Sequence, residues 1–379
     1  MAMIDAPPTG AAAAPHLGPE DVEAIGERMD AIRAEVLESL GAADARYIRR
    51  LVRAHTLLEV GARVVLLGAR SRPAWWVGTA TLAVAKVLDN MEIGHNVLHG
   101  QWDWMRDPAI SSTTWRWDHV SPPDQWQRSH NVRHHAFTNI LGEDDDLGYG
   151  VMRVDEDQPW HPVHLLQPVW NLVTACIFEY GIALFDSRVG ESLRTGEPLT
   201  AEQRTDLRAL LLQARRQLLK DFVIHPLAAG PGWRSTLSAN ATACLLRNVW
   251  SHSVIMCGHF PEGVETFTRS ALPQEETRGE WYVRQMLGSA DISGPPLLHL
   301  MAGNLSHQIE HHLFPDLPSN HYARIAPTVR AVFDDHGLRY HVAPFHRQLA
   351  SAWHKVLRLS LPGAGVSPRR WIPGRAGSR

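Results

Sequence analysis

The sequence predicts an all-α integral membrane protein whose apolar helices are outweighed by a water-facing, histidine-rich part. Three observations carry that reading. Two apolar stretches between Thr56 and Leu88 flank a proline turn at Arg70-Ser71-Arg72-Pro73. Further apolar runs close to the length of a membrane span lie at 162–185 and within 210–258. The mean hydropathy is nonetheless −0.21, so the membrane region is a minority of the 379 residues.

The elements follow in chain order. Residues 1–17 open rich in Ala and Pro, lack a basic start with an apolar run behind it, and read as a disordered tail rather than a signal peptide. Pro19 to Leu40 is amphipathic, with Gly18-Pro19-Glu20-Asp21 as a helix start and Gly41 as a stop, and predicts a soluble helix. Thr56 to Leu88 reads as a transmembrane hairpin, Pro73 opening its second arm. Arg63 in the first arm costs roughly 2.5–3.5 kcal/mol at a bilayer centre, and Glu59, one turn earlier, is placed to pair with it. Residues 89–161 are polar and dense in His, Trp and Asp, as in a folded water-facing segment.

Two threadings remain for the middle of the chain. Residues 162–185 are apolar enough to span, but Arg188, Arg194, Arg204, Arg208, Arg215, Arg216 and Lys220 follow them and favour the cytoplasmic side. The preferred threading lays 162–185 in the interface and makes a second spanning hairpin from about 210 to 258, turning at Gly230-Pro231-Gly232; the alternative has 162–185 span and leaves the basic stretch outside. After Gly258 the chain is mostly polar, and a Pro/Arg/Gly tail begins near Pro362.

The charge of −3 and pI near 6.7 show no basic excess of the kind nucleic-acid binding requires, so no nucleic-acid partner is expected. Cys176, Cys244 and Cys257 sit in apolar stretches with no C-x-x-C pair, which excludes a disulfide framework and a thiolate metal site and fits a reducing compartment. The composition is unusual in its 22 histidines and 14 tryptophans, and metal binding is the first explanation to test.

The histidines cluster. His95-Asn96-Val97-Leu98-His99 places two imidazoles four apart on one helical face. His130-Asn131-Val132-Arg133-His134-His135 points three into one sector, and Gln308-Ile309-Glu310-His311-His312 adds two more, with His307 just before. At least seven imidazoles exceed what one four-coordinate zinc uses, so two metals are the economical reading. Imidazole suits Fe, Cu, Ni and Zn alike, and spacing alone names none of them. No H-E-x-x-H is present, which excludes that zinc protease pattern. Glu92-Ile93-Gly94-His95 matches the Glu-x-x-His of carboxylate-bridged bundles, but such sites need two copies and two further glutamates. Glu92 reads instead as an outer group that takes a ring N–H and fixes a tautomer, or as a solvated carboxylate.

The order H-x-x-x-H, H-x-x-x-H-H, Q-x-x-H-H resembles the three histidine boxes of membrane fatty acid desaturases. The third, QIEHHLFP over 308–315, is similar to that of front-end and acyl-CoA desaturases. Gly94-His95-Asn96, Trp102-Asp103-Trp104, Thr138-Asn139 with Gly142, Asp144 and Asp146, and Gly303-Asn304-Leu305-Ser306-His307 resemble strings of actinobacterial acyl-CoA desaturases, and the likeness covers about 75 to 345.

That resemblance implies about four transmembrane helices under a cytosolic helical cap that holds a di-iron site. It divides the chain into N-terminal cytosolic helices over 18–55, a membrane domain with its cap over 56–345, and a C-terminal cytosolic segment over 346–379 ending in a basic tail. The implied iron ligands are His95, His99, His130, His134, His135, His259, His311 and His312. His259 takes the position of an extra ligand at the end of the last membrane helix; His252, with Asn248 echoing an Asn-x-x-x-His spacing, is its rival. Gln308 stands where a ninth ligand would, with His307 as a substitute, and Glu92, Asp144, Asp146 and Asn304 are candidates for the outer shell. No catalytic residue beyond the ligands is assigned.

The implied reaction introduces a cis double bond into an acyl chain, on acyl-CoA or an acyl lipid, with O2 as co-substrate and water as its product. An alkyl chain offers no acid, base or leaving group, so the protein must act through position and exclusion of water, which calls for a narrow apolar channel. The sequence carries no dinucleotide fingerprint, no iron–sulfur cysteine set and no fused haem domain, so a separate ferredoxin-like or flavin/iron–sulfur reductase is expected to supply electrons. The expected location is multi-pass in a bacterial cytoplasmic membrane, active site on the cytosolic side. A di-iron hydroxylase or epoxygenase, and a non-enzymatic histidine-rich zinc-binding membrane protein, are the alternatives.

Overall fold

The N-terminal helix α1, Pro19–Ser39, begins where the sequence places its start signal: the Asp21 carboxylate accepts the Gly18 N–H at 2.8 Å and Pro19 opens the first turn. The computed structural model describes residues 14–363 apart from 69, 145, 151, 191 and 193–195. The expected tails over 1–13 and from 364, and Arg194, lie outside the described residues. Residues 14–17 depart from the expected tail, since Ala14 and Leu17 are buried in the same core as Ile25, Met29 and Val36 of α1.

Helix α2, Ala42–Leu67, runs unbroken through the expected boundary at 55/56. What changes there is the medium its outer face suits. Arg46, Arg50 and Arg53 are exposed along one stripe. The same stripe continues as Leu57, Val60, Val64 and Leu67, exposed at 74%, 57%, 62% and 41%. The hairpin partner α3, Arg72–Leu88, is capped by Ser71, whose Oγ accepts the Ala74 N–H, and packs its Gly78 against Leu66. It continues without a break into a π-helical turn, Asp89–His95, and a last turn, Asn96–Leu98.

Helix α4, Pro123–Trp126, likewise widens into a π-helical turn at Gln127–His134. The apolar run at 162–185 forms no straight span. Its helices α5, Gln167–Cys176, and α6, Phe178–Asp186, are bent by 98° at Ile177. The second hairpin pairs α7, Ala201–Leu219, with α8, Trp233–His259, and turns at Gly230–Gly232 as the sequence predicts.

Among the described residues no single helix is long and apolar enough to cross a membrane. The physical reason is visible inside the hairpins, where charges face one another. Lys86 Nζ lies 2.7 Å from Asp221 and 2.8 Å from Asp118, Arg63 binds both Glu59 and Asp221, and Arg247 pairs with Glu179. The expected Glu59–Arg63 pair is present, as the edge of a larger network.

The remaining elements close over the helix ends: α9, Arg278–Leu287; β1, Asp291–Ser293; α10, Pro296–Met301; α11, Gln308–Leu313; α12, Tyr322–Asp335; β2, Val342–Pro344, parallel to β1; and α13, Phe345–Ser360. Helix α1 crosses α9 at Gly279, where an added Cβ would stand 2.2 Å from the Val22 carbonyl oxygen. The core formed by α1, α9, α11 and α12 includes Tyr282, Phe314, Tyr322 and Phe333, and it fixes α11, which carries the third histidine pair.

Candidate metal centre

The two π-helical turns lead directly into the histidines of the first two boxes. A π turn carries an extra residue per turn and is common where a helix must re-aim side chains at a site. His95, His99, His130 and His311 thereby bring one ring nitrogen each within 4.8 Å of one another, and so do His134, His259 and His312. His135 lies between the two groups, its ring centroid 4.7 Å from that of His99, 4.8 Å from His311 and 4.4 Å from His312. All eight histidines named from the sequence thus meet in one place, although they come from four separated stretches.

The hydrogen bonds are arranged asymmetrically on the rings. Nδ1 of His134 is 2.9 Å from Asp144, Nδ1 of His130 is 2.8 Å from Asp146, Nδ1 of His259 is 3.1 Å from the Gly288 carbonyl, and Nδ1 of His312 is 3.1 Å from Gln285 Oε1. By contrast Nε2 of His99, His130, His311 and His312, and both nitrogens of His135, are buried without a hydrogen-bond partner. A buried polar atom left unsatisfied costs about 1–3 kcal/mol, and five rings doing so together fit a site built for metal ions. Burial, with repulsion among the rings, holds His99, His130, His135, His311 and His312 well below the usual imidazole value, in the neutral form a metal needs. Burial also disfavours the charged form of His134, but the Asp144 carboxylate outweighs it and raises that ring to about 8.

The other sequence candidates divide. Asp144 and Asp146 hold ligand rings, as stated. Gln308 Nε2 lies 2.9 Å from His259 Nε2, so this amide is at the centre's edge. Glu92 does not take a ring N–H; it accepts from Tyr47 at 2.6 Å, Ser319 at 2.7 Å and Asn304 at 2.9 Å, because the π turn aims it at α2 and the cap. His95 is met instead by Asn96 Oδ1 at 3.1 Å. Asn304 therefore touches Glu92 and no histidine ligand. His252 bonds Asn171 at 3.0 Å two turns back along α8, apart from both groups. His307 faces Asp291 and Glu310 on the opposite side of α11. Asn96, Gln285, Thr138 and Tyr322 escape sequence reading, since each is a single polar residue far along the chain from the ring it meets.

Beside the histidines lies a partly open cavity of about 600 Å³, walled by Leu147, Tyr149, Ile182, Ile255, Phe260 and Leu305, with His95, His130, His134 and His259 at its polar side. An apolar slot ending on bare imidazoles can hold a hydrocarbon against metal and offers little that would bind a polar group.

The comparisons agree with this geometry. The sequence model of the family described as fatty acid desaturase matches residues 72–344. The chain is 48% identical over 351 residues to an NADPH-dependent stearoyl-CoA 9-desaturase of Mycobacterium tuberculosis, covering 92% of this chain and 82% of that one. It is 25% identical to an sn-1 linoleoyl-lipid 6-desaturase of Synechocystis, over 86% of this chain and 92% of the other. It is 28% identical to an acyl-lipid (7-3)-desaturase of Rebecca salina over 62% of this chain and 53% of the other.

Proposed function

The chain belongs to the fatty acid desaturase family, and on that footing we propose that it desaturates a long-chain acyl-CoA at a di-iron centre on the cytosolic face of a bacterial cytoplasmic membrane. The observation that carries the proposal is the double histidine cluster with bare Nε2 atoms at the end of an apolar cavity. The acyl-CoA carrier is taken from the stearoyl-CoA enzyme, with which this chain shares far more identity than with the acyl-lipid relatives.

The residues that hold the metals are His95, His99, His130 and His311 for one ion and His134, His259 and His312 for the other, with His135 between them and Gln308 beside His259. When bound, two iron ions supply the activation of O2 that an unactivated C–H pair requires. The balance is one acyl CH2–CH2, one O2, two electrons and two protons giving one CH=CH and two waters. The protein's part is positional. Asp144 and Asp146 set the orientation of His134 and His130 through their Nδ1 atoms. Ile182, Ile255 and Phe260 give the chain an apolar bed and keep water from it. Electrons come from a separate reductase; the mycobacterial relative is named NADPH-dependent, and a ferredoxin-like or flavin/iron–sulfur protein docking on the cap would link this chain to the same reductant.

Membrane insertion is supported by the α2 stripe. It turns from arginine to bare aliphatic side chains between Arg53 and Leu57. The 14 residues from Arg53 to Leu67 rise about 21 Å at 1.5 Å each, most of a hydrocarbon core of about 30 Å. Two hairpins of this kind, α2–α3 and α7–α8, make four spans, with α5 and α6 lying in the interface, where Val163, Leu166, Val169 and Leu172 are exposed at 65%, 63%, 62% and 57%.

The test is mass spectrometry of acyl-CoA and lipid from a host that expresses the chain together with an NADPH-linked electron donor, beside His134→Ala. A monounsaturated product that is lost in the variant is expected. Gain of an oxygen atom, or an unchanged profile with a donor proven active on another desaturase, would overturn the proposal.

A further inference from the structure

On the far side of α11 from the histidine cluster, a second group of metal-binding side chains is gathered. Asp291, the first residue of β1, Glu310 on α11 and His307 just before α11 offer ligand atoms within 4.8 Å of one another. Nδ1 of His307 stands 3.8 Å from Asp291 Oδ2 and 3.8 Å from Glu310 Oε2. Glu310 is fully buried and its Oε2 has no hydrogen-bond partner; both ring nitrogens of His307 are also buried and unpartnered.

The charges in this group do not balance as they stand. Elsewhere in the molecule buried carboxylates have permanent cations or several donors: Asp221 has Lys86 and Arg63, Glu179 has Arg247, and Glu92 has three donors. Asp291 and Glu310 share one Tyr340 hydroxyl, which contacts Asp291 Oδ2 and lies 2.8 Å from Glu310 Oε1. A hydroxyl has one proton and can donate to only one of them. Two carboxylates this close in a dry site need either a proton between them or a cation.

We infer that Asp291, His307 and Glu310 bind a single divalent first-row ion, zinc or manganese, at a third metal site that braces the third histidine box from behind. The chemistry of the donors fits, since one imidazole and two carboxylates suit such ions. Donor atoms around a tetrahedral ion at 2.0–2.2 Å stand roughly 3.3–3.6 Å apart, so the 3.8 Å separations close by a few tenths of an ångström. The position gives the ion a task. Asp291 already holds the Ile309 N–H at 2.9 Å through Oδ1, and the residue after Glu310 is His311. An ion there ties α11 to the β1–β2 pair and fixes the helix that presents His311 and His312.

Metal content of the purified full-length chain, by plasma mass spectrometry, tests this for Asp291→Asn and Glu310→Gln against the unaltered protein and His134→Ala. Loss of one ion per chain in each of the first two, with that ion retained in His134→Ala, is the expected result and does not depend on what occupies the other site. Unchanged metal content and melting temperature in Glu310→Gln overturn the inference, because a glutamine amide can replace a shared proton but cannot replace a carboxylate ligand. Should either variant fail to fold, anomalous scattering at the zinc and manganese edges on the unaltered chain decides the matter: a peak about 2.0–2.2 Å from these three side chains supports the site, and a flat map excludes it.

Discussion

The Asp144 carboxylate holds both His134 and the loop behind it: one oxygen lies 2.9 Å from His134 Nδ1, and the other accepts the Asn139 N–H at 2.8 Å. Asp144→Asn keeps the shape and removes the charge that raises His134. Metal affinity at this centre is expected to fall about 10- to 100-fold, read as iron retained against a competing chelator. Equal retention in the two proteins would show that Asp144 only shapes the loop.

Gly258 sits in α8 where an added Cβ would come within 2.8 Å of Gln308 Cγ. Alanine at a helix-interior glycine normally stabilises by up to about 1 kcal/mol. Gly258→Ala is therefore expected to leave the melting temperature unchanged or raised while it pushes Gln308 away from His259, lowering turnover and altering the metal's absorption spectrum. A variant with full activity and an unaltered spectrum would remove Gln308 from any role at the centre.

The depth of the cavity is open to redesign through Ile182. Replacing it with Trp fills space beside the histidines and is expected to shift product toward shorter acyl chains, whereas Ile182→Ala favours longer ones. Gas chromatography of products from mixed acyl-CoA substrates reads the ratio directly, and the same ratio in both variants would locate the chain elsewhere.

Lys86 serves Asp118 and Asp221 at once, and all three are buried or nearly so. Lys86→Met leaves two carboxylates without their common partner, for an expected loss of about 3–5 kcal/mol, measured by thermal unfolding in detergent. Adding Asp221→Asn to Lys86→Met is expected to recover only part of that loss, since Arg63 then loses a partner too. A Lys86→Met protein as stable as the unaltered one would mean that the network is solvated.

Much of the site was legible because its ligands are local in sequence. Spacings of four and five within a helix put His130, His134 and His135 in one sector whatever the rest of the chain does, and the helix-end position singled out His259. The helix starts at Gly18 and Ser71 and the turn at Gly230-Pro231-Gly232 were readable for the same reason. What lay beyond reach was set by tertiary contacts. Glu92 was expected to meet a histidine and meets Tyr47 and Ser319, since the π turn that re-aims it has no mark in composition. His307 differs from Gln308 by one position and faces the other way, toward an aspartate from β1 that no local pattern connects to it. The 55/56 boundary failed because a helix can change solvent without changing its backbone.

The widened turns have a consequence for how the chain tolerates change in length. Asp89–His95 and Gln127–His134 each hold one residue more per turn than an ordinary helix. Deleting any one residue between Asp89 and Gly94 would let the segment relax to regular winding and turn everything after it by about 100° about the axis, carrying His95 and His99 out of phase with their partners while every histidine stayed in the sequence. Residue count in those two stretches is therefore under as strict a constraint as ligand identity, and a one-residue deletion that kept its metals would show the extra winding to be incidental.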